Sequence, residues 1–140
     1  MIKKVVVPGI VAGIAMMIVG IALSRAYVSV FPQLQDEYTN PELFRSWSDP
    51  LMSLYFLHPL LVGLFLAWIW DQTKSVYPAQ LSGNRKAFRY ALVYTMFSAL
   101  GMLITYSSFP VSFTMVASWT LSTFVEGIVA AMILSRMNKG

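Results

Sequence analysis

The chain has 140 residues, of which 57% are hydrophobic and only 11% charged, with a formal net charge of +4, no cysteine and a single histidine. A soluble domain carries about 25% charged residues, so the composition is that of a membrane protein. The missing thiols exclude disulfide frameworks, thiol redox chemistry, iron–sulfur ligation and thiolate zinc sites, and we expect no metal and no cofactor.

The charges cluster between apolar runs, the layout of a polytopic chain forming one domain. Lys3 and Lys4 precede the first run, residues 5–24. It is longer than the roughly 7–15 residues of a signal-peptide core, so it reads as a first span over about 5–26. Gly9 and Gly13 stand at GxxxG spacing with Gly20 two turns on. Such small residues let a second helix approach closely where lipid supplies no hydrophobic drive.

An acidic loop follows over 27–49, with Asp36, Glu37, Glu42 and Asp49. Inside it, Thr39-Asn40-Pro41-Glu42 has the form of a helix start, with an N-cap, a first-turn proline and an acid on the positive dipole end. Leu43, Phe44 and Trp47 then place apolar groups on one side, which predicts a short interfacial helix. Asp49-Pro50 repeats the signal and opens a second span, 50–70. There Pro59 predicts a kink and an unpartnered carbonyl on Tyr55. His58 is either a group capping such carbonyls, or a ligand or proton relay. Trp68, Trp70 and Asp71 mark an interface.

A basic loop, 71–87, leads to a third span, 88–108, with Gly101 as a candidate packing position. The turn at 107–110 is short enough to force the fourth span, 111–135, to lie antiparallel beside the third. Lys3 and Lys4, the basic loop and the Arg136/Lys139 tail all fall on one side of such a four-span fold. By the positive-inside rule both termini then face the cytoplasm. The fold class expected is all-α, a four-helix transmembrane bundle. The basic residues are explained by topology, and nothing in the sequence reads nucleic acid.

Glu126 lies within the fourth span, on a row with Ser118 and Ser122. A carboxylate at membrane depth costs a few kcal/mol or more unless protein, water or a partner receives it. At a rise of ~1.5 Å per residue, Glu126 sits level with Tyr94, Thr95 and Ser98 of the third span. Those are its expected hydrogen-bond partners. His58 falls nearer the opposite surface, as a separate polar site.

No metalloprotease, serine-hydrolase or phosphate-loop motif is present, and an enzyme is not expected. Small-residue faces and short loops point to an accessory or structural subunit, or a self-associating protein, embedded in the lipid bilayer. The alternatives are a small proton-coupled transporter, or a protein binding an apolar molecule such as a lipid or quinone beside Glu126. Small multidrug exporters are similar in span number, but their essential acid lies in the first span, which here has none. Span lengths and loop sizes resemble those of short four-span bacterial membrane proteins. That resemblance implies only a location, the inner membrane.

Overall fold

The computed structural model describes residues 2–139, and all regular structure among them is helical. A π turn at Ile2–Val6 runs directly into α1, Val7–Val30. Helix α2 is short, Gln33–Thr39. A 3-10 turn at Pro50–Met52 leads into α3, Ser53–Thr73, and another at Lys74–Val76 follows it. Helices α4, Gly83–Ser108, and α5, Phe113–Met137, complete the chain. Four stretches are long and apolar enough to cross a membrane: Ile2–Val30, Pro50–Val76, Gly83–Ser108 and Phe113–Met137.

Local chemistry sets the boundaries. Asp49 Oδ1 accepts from Leu51 N at 2.9 Å, with Pro50 in the first turn where its missing N–H costs nothing. Ser82 Oγ accepts from Arg85 N at 3.4 Å, so α4 begins at Gly83 and not at 88. Ser112 Oγ accepts from Met115 N at 3.1 Å and starts α5. Helices α1 and α3 also run past the expected ends at 26 and 70. Backbone hydrogen bonding continues beyond the apolar window, which alone marks a span in sequence.

The loop helix is not where the Asn40-Pro41 signal puts it. It lies upstream, in α2, and Asn40 ends it. Asn40 Oδ1 accepts from Glu42 N at 2.9 Å, an Asx turn, and the backbone beyond is irregular. Asn-Pro serves a turn as well as a helix start, and here the turn wins. Nor is α2 a free surface helix. Leu34 is fully buried with Val111, Met115 and Val116, and Glu37 Oε2 accepts from Ser112 N at 2.9 Å. The acid thus lies at the positive end of α5, and α2 straps that end of the bundle.

Helix α1 is central, packed on α3 along one side and α5 along another, while α4 packs along α5. The two ends of the bundle differ. At the end holding both termini, here the basic end, Trp70 is buried between Tyr77, stacked at 5.9 Å, and Tyr90, edge-on at 5.3 Å. Trp70 is therefore a core residue and not an interface marker. Tyr90 Oη donates to Leu66 O at 2.6 Å, joining α4 to α3. Asn138 closes the knot. Its carbonyl accepts from Trp70 Nε1 at 3.0 Å and its Oδ1 from Lys74 Nζ at 2.6 Å. Its Nδ2 donates to Asp71 Oδ1 at 2.9 Å and to Lys4 O at 2.8 Å. Pro8 has no N–H to offer the Lys4 carbonyl four residues back, and the Asn138 amide supplies one.

Candidate functional site

The first half of α1 grips α3 through glycine. A Cβ on Gly63 would meet Gly13 N at 2.5 Å and Gly13 Cα at 2.7 Å, and one on Gly13 would meet Leu60 Cα at 2.8 Å. A Cβ on Gly9 would lie 2.8 Å from Leu64 Cα. The backbones are in contact, as a GxxxG pair permits.

Gly20 lies seven residues beyond Gly13, and at 3.6 residues per turn it continues the same face. Its neighbour is not α3. Past Pro59 the residues from Ser53 to His58 are all exposed, and α3 no longer covers α1. A cavity of about 830 Å³ fills the gap, within the ~300–1,000 Å³ of ligand sites. Gly20, Ser24, Arg25, Tyr27 and Val28 of α1 line one wall, with Met52 and Tyr55 of the second span opposite. Trp119, Ser122 and Glu126 of α5 form a third side, and Tyr38 of α2 with Phe44, Arg45 and Trp47 of the loop form the roof.

Glu126 marks the deep end. A Cβ on Gly20 would fall 2.6 Å from Glu126 Oε1, so the glycine makes room for the carboxyl group. Among the described residues Glu126 receives no side-chain hydrogen bond, yet neither oxygen is sealed from the cavity. The expected partners do not receive it. Tyr94 packs instead on Gly127, where a Cβ would meet its Cδ1 at 2.9 Å, and Thr95 Oγ1 donates to Ala91 O of its own helix at 2.8 Å. Tyr94 does stand at the level of this segment of α5. The adjacent residue turns about 100° round the helix, and that rotation carries Glu126 from α4 to α1. Ser98, half-buried on α4, does not line the cavity.

The row of Ser118, Ser122 and Glu126 is also split. Ser122 lines the cavity, whereas Ser118 is buried and donates to Met115 O at 2.7 Å. Thr120 and Thr123 likewise donate to carbonyls one turn back, at 2.9 and 3.0 Å. Back-bonding of this kind satisfies a hydroxyl at membrane depth without any site. His58 is exposed on the outside of α3, with no side-chain hydrogen bond among the described residues, so it does not cap a carbonyl freed by Pro59. Among the described residues nothing outside its own helix lies within 4 Å of a Cβ added at Gly101, so it packs against no other described helix.

The roof uses Phe44 and Trp47, which the sequence placed on an interfacial helix, together with Tyr38 and Arg45, which it did not single out. Trp119 Nε1 donates to Tyr38 Oη at 2.8 Å, and Phe44 meets Trp119 edge-on at 6.2 Å. Burial pushes the Tyr38 phenol above its ordinary pKa, with the Trp119 hydrogen bond opposing. Arg45 Nη1 donates to Asp49 Oδ2 at 3.0 Å, which ties the roof to the start of the second span. One signal was available: Gly20, Ser24 and Tyr27 or Val28 recur at helical spacing on α1. Among the described residues no three histidine or acidic side chains gather to hold a metal ion. Compared with protein-family models, curated proteins and solved structures, the chain matches none of them.

Proposed function

We propose that this chain is a small, non-enzymatic integral membrane protein that binds one amphipathic molecule, lipid- or quinone-like in its apolar bulk, in the Glu126 cavity. The observation that carries this reading is the Glu126 carboxyl group. It opens into an aromatic-walled cavity with no hydrogen bond from the described residues, and a group so placed is costly unless something receives it. A ligand hydroxyl or amine on Glu126, with Tyr55 and Trp119 along the apolar part, meets that need. Arg25 and Arg45 stand nearer the mouth, where a polar head sits. The positive-inside rule puts the basic end in the cytoplasm and the cavity on the outer half of a bacterial inner membrane.

The test is native mass spectrometry on protein extracted from membranes in mild detergent. We expect a retained small molecule on the wild type, at least tenfold less on Glu126→Ala, and intermediate retention on Glu126→Gln, which keeps hydrogen-bonding capacity. Equal retention in Glu126→Ala, or none in the wild type, overturns the reading.

A second reading, an accessory subunit or self-associating protein, draws on a different face. His58 lies among exposed Leu54, Leu61, Phe65 and Trp68 on α3, and Gly101 is open on α4. A second membrane helix there would satisfy the imidazole. Cross-linking from position 58 in membranes, yielding no adduct, would remove this reading.

A further inference from the structure

The basic end carries a second recess, separate from the Glu126 cavity and unrelated to its ligand. It has a volume of about 230 Å³ and is lined by Trp70, Lys74, Gly83, Lys86, Ser135 and Lys139. Water in the liquid occupies about 30 Å³ per molecule, so the recess holds a group several times that size. We infer that it binds a phosphate group, carried by an anionic lipid at the membrane surface or by a soluble phosphate ion.

Three features support this. First, the lysines come from three separate parts of the chain: the turn after α3, the first turn of α4 and the tail beyond α5. Folding brings together like charges that repel one another, and an anion between them removes the repulsion. Second, the protein pairs only one of them with an acid. Among the described residues only two ion pairs form, Arg45–Asp49 and Lys74–Asp71. Among the described residues Lys86 and Lys139 have no acidic partner, and Asp71 is the one acidic side chain at this end. Third, Lys74 is fixed in place. Its Nζ lies 3.1 Å from Asp71 Oδ1 and donates to Asn138 Oδ1 at 2.6 Å, with only 16% of the side chain exposed. The buried indole of Trp70 makes a rigid wall beside it. Gly83 keeps the rim open: a Cβ there would have only Ser135 Oγ near, at 3.9 Å.

Three lysines from three parts of the chain thus line one recess, and the several oxygens of a phosphate can accept from more than one of them at once. The position at the rim of the spans also matches where anionic headgroups lie.

The experiment uses the full chain, reconstituted in phosphatidylcholine vesicles with or without phosphatidic acid, and in a third arm in pure phosphatidylcholine with inorganic phosphate titrated in. Fluorescence-detected thermal stabilisation reads binding in all three. A charge-assisted hydrogen bond from one lysine to a bound phosphate oxygen supports roughly fivefold or more in affinity, which a lysine outside the recess does not supply. Lys86→Gln with Lys139→Gln should therefore weaken stabilisation by phosphatidic acid about 25-fold, while Lys86→Arg retains most of it. A control pair at the same end, Lys3→Gln with Arg136→Gln, should leave it within twofold. Saturable stabilisation by phosphatidic acid alone assigns a lipid headgroup, and stabilisation by inorganic phosphate as well assigns phosphate in general. No stabilisation in either arm, or equal losses in the lysine pair and the control pair, overturns the proposal.

Discussion

The basic half of this bundle and the loop half solve the same packing problem in opposite ways. At the basic half, glycine brings backbone against backbone, with Gly9 and Gly13 of α1 on Gly63 of α3, and Asn138 ties the tail to Lys4 and to the stretch 70–74 with four hydrogen bonds. In the loop half, the same glycine face of α1 continues at Gly20, but there it borders a cavity and an acidic side chain. Pro59 stands at the change. Identical residue types on one helix face thus serve cohesion at one level and vacancy at the next, and the difference is made by the neighbour, not by α1. A small residue in a membrane helix permits close approach without guaranteeing it.

The largest effect should come from closing the tight half. In Gly63→Ala the new methyl group meets Gly13 backbone atoms at 2.5 and 2.7 Å, and a backbone cannot swing aside as a side-chain tip can. Overpacking of this kind costs about 1–3 kcal/mol. We expect the upper end of that range, seen as a lower unfolding midpoint in detergent and loosened contact between α1 and α3. Gly101→Ala is the matched control, because among the described residues an added Cβ there meets nothing from another helix within 4 Å. It should be neutral, or stabilise by up to about 1 kcal/mol through helix propensity. If the two variants behave alike, the crossing is not held by glycine.

How much of this was legible in the sequence follows from the same contrast. The all-helical chain with four membrane-length helices was plain, because bilayer thickness imposes long apolar windows. The GxxxG positions on α1 were visible as spacing, but nothing in the spacing said that Gly20 would face Glu126. Level along the membrane was readable from helical rise, whereas rotation about the axis was not. An error of one residue turns a side chain by about 100°, which is why Tyr94 finds Gly127 and not Glu126. The expected roles of Ser118 and Thr95 beside Glu126 fail because both bond carbonyls of their own helices. The cavity roof was least legible. It rests on Glu37 reaching Ser112 and Tyr38 reaching Trp119, contacts across 75 and 81 residues that no local pattern encodes.

A smaller effect separates the two halves in kind. Gly20→Ala places its methyl group 2.6 Å from Glu126 Oε1, and this neighbour is the flexible tip of a side chain. The carboxyl group should move and the helices should not. We expect stability within about 1 kcal/mol of wild type, with retention of the cavity ligand reduced about tenfold, equivalent to ~1.4 kcal/mol of binding. Gly63→Ala should show the reverse balance in its first effect, losing stability before ligand. If Gly20→Ala destabilises as strongly as Gly63→Ala, the space beside Glu126 is packing and not a site.

The smallest effect lies at the hinge between roof and second span, where Asp49 is fully hydrogen-bonded but open to water. The Leu51 backbone N–H, then the Arg45 guanidinium, hold its carboxyl group below the ordinary aspartate pKa. A carboxyl group with a lower pKa in the folded state than in the unfolded one stabilises the fold above the unfolded value, about 3.9. That contribution is lost as pH falls through the folded value. At neutral pH it is fully present, and acidification below about pH 4 removes it. Asp49→Asn keeps an oxygen to cap Leu51 but cannot titrate. The melting temperature of the wild type should therefore fall more steeply than that of Asp49→Asn as pH drops below 4, with the two curves parallel from pH 5 to 7. The loss should be confined to the loop half, read as exposure of the Trp119 indole by fluorescence quenching, while the buried Trp70 at the basic end stays protected. Parallel curves through the acid range would mean that the Arg45–Asp49 pair ties nothing down. The roof would then rest on Glu37 and Tyr38 alone.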